Sequence, residues 1–169
     1  MLVIGCGNRD RGDDGAGVMV AERLQQLRVQ AEICTGESLA LVEAWSRSDD
    51  VVVVDTVVTG APAGKVWLWN ARSARIQGSA STSTHGFGVA EAIALARILG
   101  RLPNRLRVVG IEGRRFDIGG DVSPEVVGAV EEVAQHIIAD ALCHLHNMAS
   151  CNVNEECGWK SPSPHGYFR

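Results

Sequence analysis

Residues 1–24, MLVIGCGNRDRGDDGAGVMVAERL, pass from an apolar run through a glycine-rich turn into a helical pattern. MLVIG reads as a short strand, apolar on both faces as buried parallel strands are. From Gly15 to about Gln26, the residues Val18, Val20, Leu24 and Leu27 recur near helical spacing. A strand, a glycine turn and a helix open many nucleotide-binding folds, in which the helix start holds a phosphate. Two features oppose that reading. GCGNRDRG does not match GxGxxG, because Asp10 stands where the third glycine belongs. Asp13 and Asp14 would also repel a pyrophosphate at the helix start. A non-enzymatic dinucleotide-binding module is therefore disfavoured.

Working outward, VQAEICT is a second strand and SLALVEAWSRS a second helix, with Ser38 as its cap. DVVVVDT is the clearest buried strand, APAG a turn, and KVWLWN an alternating fourth strand. Residues 71–84 read as a small, polar loop. GFGVAEAIALARILG is a third helix that ends at Gly100. RLRVVGIE is a fifth strand. The fourth helix, from SPEVVGAV to about Leu145, has Ser123 as N-cap and Pro124 in its first turn. Strands that alternate with helices mean an α/β fold with a mostly parallel sheet. The expected organisation is one domain over residues 1–146 and a loose, Ser/Pro/Asn/Gly-rich tail over 147–169.

The net charge of −4 over 169 residues argues against a nucleic-acid partner. Arginines cluster at Arg101–Arg107 and at Arg114–Arg115, but no aromatics interleave them. No run approaches about 20 apolar residues, so no membrane span is expected. No basic leader precedes the first strand, and five scattered cysteines suit free thiols in a reducing cytoplasm. Cys143, His144, His146, Cys151, Cys157 and His165 match no standard zinc spacing.

Ligands of open α/β sheets bind beyond the carboxyl ends of the strands, where the winding reverses. Asp14 follows the first strand, Asp55 closes the third, and His85 opens the third helix. If the first and third strands are neighbours, Asp14 and Asp55 face one crevice. Each residue also has a plainer reading. Asp55 can anchor the next loop, one of Asp13 and Asp14 can cap the helix, and His85 can be structural. Two adjacent acids among Gly12, Gly15 and Gly17 exceed what capping needs. Two carboxylates and an imidazole suit a borderline divalent metal such as zinc or nickel.

Taken together, GCGN…DDGAG, VVVVD, STHGFG and VVGIE…SPEV resemble the hydrogenase maturation endopeptidases, in order and spacing, over residues 1–146. The resemblance implies a three-layer α/β/α sandwich around a five-stranded mixed sheet with one antiparallel strand. KVWLWN is that strand, since the turn before it is too short for a parallel crossover. The resemblance also implies an enzyme that removes the C-terminal extension of a nickel–iron hydrogenase large-subunit precursor; the alternative is a protein that binds the metal centre as a checkpoint without cutting. Nickel arrives with that substrate and is not a resident cofactor. The implied metal contacts are Asp14, Asp55 and His85, with Asp13 as the alternative to Asp14. They complete the coordination of an ion held by substrate thiolates, and the ion polarises the scissile peptide. No serine or cysteine has an evident base and orienter, so no covalent nucleophile is expected, and Cys6 reads as a packed small residue. A monomer is the family default. The RDRG insert and the paired arginines of GRRFDIGGD depart from the family pattern, and RDRG points to a different hydrogenase partner. Peptidyl-tRNA hydrolases also open with a strand and GxGN. Their His-Asn pair in the first helix is missing here, and their substrate needs a basic groove.

Overall fold

Residues 1–35, 37–71 and 86–146 are described by the computed structural model. The valine run forms the centre of the fold, a strand over Asp50–Val57 that is almost entirely buried. Burying one valine fully stabilises by about 1.5–3 kcal/mol, so this run belongs between other strands and under helices on both faces. In chain order the elements are β1 (Leu2–Cys6), α1 (Ala16–Gln26), β2 (Ala31–Cys34), α2 (Ser38–Trp45), β3 (Asp50–Val57), β4 (Val66–Asn70), α3 (Gly86–Leu99), β5 (Arg105–Glu112) and α4 (Pro124–His146). A 3-10 turn over Gly12–Gly15 precedes α1.

The sheet runs β2-β1-β3-β5-β4. β1 pairs in parallel with β2 on one side and β3 on the other, with Gly5 opposite both Ile33 and Val54. The winding therefore reverses between β1 and β3. Alternate residues point to opposite faces, and each face carries its own core. Leu2, Ile4, Val51 and Val53 pack with Leu41, Trp45 and Ile93 of α2 and α3. Val3, Val52, Val54 and Ile111 pack with Val20 and Leu24 of α1 and with Val126 and Val133 of α4. This is the expected three-layer sandwich with a five-stranded mixed sheet.

β4 is the antiparallel strand, and its neighbour is β5, with Leu68 opposite Val109. The β3–β4 connection therefore spans the slot that β5 fills later in the chain. Glu112, the last residue of β5, holds that connection in place. Its carboxylate accepts from the N–H groups of Thr59 (2.6 Å), Gly60 (2.8 Å) and Ala61 (3.2 Å), the Thr59 hydroxyl (2.8 Å) and the Trp67 indole (3.2 Å). A buried carboxylate is tolerable only with such full satisfaction.

Helix ends follow local chemistry, with one exception. Gly100 has φ +63°, the Arg101 N–H reaches the Ala96 carbonyl at 2.8 Å, and α3 stops there in a Schellman arrangement. α2 ends at Trp45 and its N-cap is Glu37; Ser38 lies inside the helix. The Ser38 hydroxyl donates instead to the Gly88 carbonyl, which ties α2 to α3. At the opposite face, Arg107 pairs with Asp50 at 3.1 Å and with Asp140 of α4. Among the described residues no helix is long and apolar enough to cross a membrane. The loop reading for 72–84 and the tail reading for 147–169 lie outside the described residues.

Candidate active site

The glycine-rich turn is folded back on itself. Asn8 N–H donates to the Asp14 carbonyl at 3.2 Å, and Asp14 N–H donates to the Arg11 carbonyl at 3.1 Å. Gly12 adopts φ +53°, in the left-handed region that favours glycine. The room created at Gly17 serves the protein's own backbone. A Cβ there would lie 2.3 Å from the Cys6 carbonyl oxygen and 2.4 Å from that of Val54. Gly17 thus lets α1 settle directly on β1 and β3, which fixes where the turn delivers its acids.

Those two acids part company. Asp13 is fully enclosed (0% exposed), and both carboxylate oxygens are occupied. Oδ2 accepts from the N–H groups of Arg114 (2.8 Å) and Arg115 (2.9 Å), and Oδ1 accepts from the Ser123 N–H (2.7 Å). The Ser123 hydroxyl donates to the same carboxylate. Burial pushes the Asp13 carboxyl up, but the bonds from Ser123, Arg114 and Arg115 more than reverse this and leave it below its ordinary value. Ser123 stands at the start of α4 as expected, since its carbonyl accepts the first helical bonds from Val126 and Val127. Its hydroxyl serves Asp13. Neither Asp13 nor Asp14 occupies an N-cap position; those of the 3-10 turn and of α1 are Arg11 and Gly15.

Asp14 is 8% exposed and Asp55, at the carboxyl end of β3, is 4% exposed. The Thr56 N–H donates to Asp55 Oδ1 at 2.8 Å. Burial pushes the Asp55 carboxyl up, the Thr56 bond pulls it down, and the Asp14 charge pushes it further up. The result is about 7 against an ordinary 3.8. Asp14 and Asp55 both lie near the reversal between β1 and β3, close enough for the Asp14 charge to act on Asp55. His85 lies outside the described residues. Among the described residues no three His, Cys, Asp or Glu side chains form a metal-holding group.

Cys6 is buried on the same sheet face as Asp55. Burial, then Asp55, then Cys34 push its thiol well above its ordinary value, so it stays protonated. A protonated, enclosed thiol is a poor nucleophile, which agrees with its reading as a packing residue.

Sequence reasoning passed over two polar residues that build the site's surroundings. The helix-start pattern marks Ser123 only as a cap, and spacing gives Glu112 no role. An acid directly after a buried apolar run, as in VVGIE, is the one signal that marks Glu112 in sequence.

The sequence profile of the hydrogenase maturation protease family matches residues 18–140. The hydrogenase expression/formation protein HupD of Thiocapsa roseopersicina is 32% identical over 133 residues, which cover 75% of this chain and 60% of that protein. The chain thus spans about three fifths of the length of that relative. Among solved structures, the hydrogenase maturating endopeptidase HybD from E. coli superposes with a TM-score of 0.67 at 20% identity, covering 86% of this chain and 93% of that one. The [NiFe] hydrogenase maturation protease HycI from Thermococcus kodakarensis superposes with a TM-score of 0.63 at 26% identity, covering 83% and 90%. On the match that runs from α1 to α4, the chain belongs to the hydrogenase maturation protease family.

Proposed function

We propose that this chain is an endopeptidase that removes the C-terminal extension of a hydrogenase large-subunit precursor loaded with nickel. Asp14, Asp55 and His85 recognise the ion that the precursor carries. The observation that carries this reading is the Asp14–Asp55 pair. Two almost buried carboxylates, Asp14 on the turn after β1 and Asp55 at the end of β3, lie where the winding reverses, and burial together with the Asp14 charge raises Asp55 to about 7. Such a pair is strained alone and is relieved by a divalent cation. Asp14 is preferred to Asp13 as the contacting acid because every oxygen of Asp13 already accepts internal hydrogen bonds.

Oxygen donors and an imidazole suit nickel or zinc at positions left open by other ligands. When bound, the ion supplies Lewis-acid polarisation of the neighbouring peptide carbonyl. The residues of this chain do the rest. Asp14 and Asp55 hold the incoming centre at the strand ends. Asp55 gives up its proton as the cation arrives. Gly17 seats α1 on the Cys6 and Val54 carbonyls and so fixes the turn that carries Asp14. Cys6 and Cys34 are in no disulfide, which supports a reducing cytoplasmic setting. The protein works as a monomer.

The test is product mass. The nickel-loaded precursor, incubated with this protein, is expected to lose a C-terminal peptide. The nickel-free precursor is expected to stay intact, and binding without a mass change contradicts the proposal.

A further inference from the structure

The loop from Gly113 to Val122, between β5 and α4, is held more firmly than a surface loop requires. Asp13 binds its near end through the N–H groups of Arg114 and Arg115 and its far end through Ser123. The Asp13 N–H returns a bond to the Arg115 carbonyl at 2.8 Å, and the Gly119 N–H reaches the Asp10 carbonyl at 2.7 Å. Gly12 lies so close that a Cβ on it would stand 2.7 Å from the Arg115 oxygen. At its base a Cβ on Gly113 would meet Thr56 at 2.6 Å and the Phe116 ring at 2.8 Å. The loop is therefore built on the residues next to both candidate metal contacts, Asp13 before Asp14 and Thr56 after Asp55.

What this support holds outward is Ile118, 85% exposed, together with the exposed guanidinium groups of Arg114 and Arg115. Arg114 approaches Glu125 only at 3.9 Å. Lone exposed apolar residues are common and need no explanation. Ile98, at 83%, is one, and it lies at the carboxyl end of α3, the opposite end of the sheet from Asp55. Ile118 differs in that a buried carboxylate and its donors fix the loop beneath it. Rigidly held contact residues beside a site lower the ordering cost of binding.

We infer that residues 113–122 form an arm that reads the precursor chain bordering the cut, with Ile118 and Arg115 as specificity-determining contacts. This inference rests on the endopeptidase reading above. The occupant is a precursor segment that offers an apolar side chain to Ile118 and a carboxylate to Arg114 and Arg115. The arm also carries exposed Asp117 and Asp121, so the charge preference is local to the arginine end.

The test measures KM and kcat on the nickel-loaded precursor for Ile118→Asp, Arg115→Glu and, as control, Ile98→Asp. All three sites are exposed, so melting temperatures are expected to match wild type. The arm predicts KM raised roughly tenfold or more by Ile118→Asp and by Arg115→Glu, with kcat within about twofold and the control unchanged. The Arg115→Glu effect also shrinks as salt is raised. Unchanged KM in both arm variants, or an equal rise in the control, overturns the inference while wild-type cleavage leaves the endopeptidase reading standing. Absence of cleavage by wild type overturns the endopeptidase reading itself, and the arm with it.

Discussion

Ser123 N–H meets Asp13 Oδ1 at 2.7 Å across 110 residues of sequence. That bond, with those from Arg114 and Arg115, closes the first turn of the fold onto the start of its last helix. Asp13→Ala leaves several backbone donors enclosed without an acceptor. An unpaired buried donor costs about 1–3 kcal/mol, and breaking a buried charged network costs about 3–5 kcal/mol. The expected loss is therefore several kcal/mol, read as the shift in the urea midpoint. Ser123→Ala, which removes one donor of the set, is expected to cost about 1–2 kcal/mol. Equal stability of Asp13→Ala and wild type contradicts this account.

The same carboxylate sets an acid limit. The folded-state pKa of Asp13 is lowered, so its contribution is complete above the unfolded value and fades as pH falls through the folded one. Stability measured below pH 4 is expected to fall more steeply for wild type than for Asp13→Asn, which has no proton to take up there.

Asp55 has the opposite sign. Its pKa rises from 3.8 unfolded to about 7 folded. Between these values the folded state holds a proton that the unfolded state has lost, so stability declines as pH rises from about 4 to 7 and the full cost stands above 7. Asp55→Asn removes that cost. The apo variant is expected to be more stable than wild type at pH 8, by an amount on the order of 4 kcal/mol, and close to wild type at pH 4. It is also expected to be inactive. Denaturation at the two pH values checks the first statement, and a variant less stable at pH 8 contradicts it.

Glu112→Gln replaces an acceptor of five donors with a group that must turn an NH₂ toward some of them. The connection that crosses the end of β5 is expected to loosen first. Hydrogen exchange at Thr59, Gly60 and Ala61 and along β4 should speed up more than in β1 or β3. A uniform change over the sheet points instead to global destabilisation.

The fold was legible where its cause is local. The buried valine run, the glycine turn followed by a helix, and the Gly100 stop each follow from neighbouring residues. The insertion of β5 between β3 and β4 was not, because it depends on a pairing across dozens of residues and on the carboxylate of Glu112 under a distant loop. The placement of Asp14 and Asp55 near the β1–β3 reversal was legible from the strand order. Asp13 and Asp14 are the same residue type at adjacent positions, and sequence spacing cannot say which turns inward. The answer lies in the donors at Arg114, Arg115 and Ser123, a hundred residues away. The side-chain pairing of Ser38 with α3 was hidden for the same reason.

The central claim is that the acids at the strand ends meet a cation brought by the substrate. Its most direct test compares cleavage of the nickel-loaded precursor by wild type, Asp14→Asn, Asp55→Asn and His85→Ala, each checked for an intact fold by its melting curve. The account predicts conversion to a shorter product by wild type and a loss of roughly a hundredfold or more in each variant, while free nickel added to nickel-free precursor and protein restores nothing. Cleavage by Asp14→Asn or Asp55→Asn at the wild-type rate would contradict it.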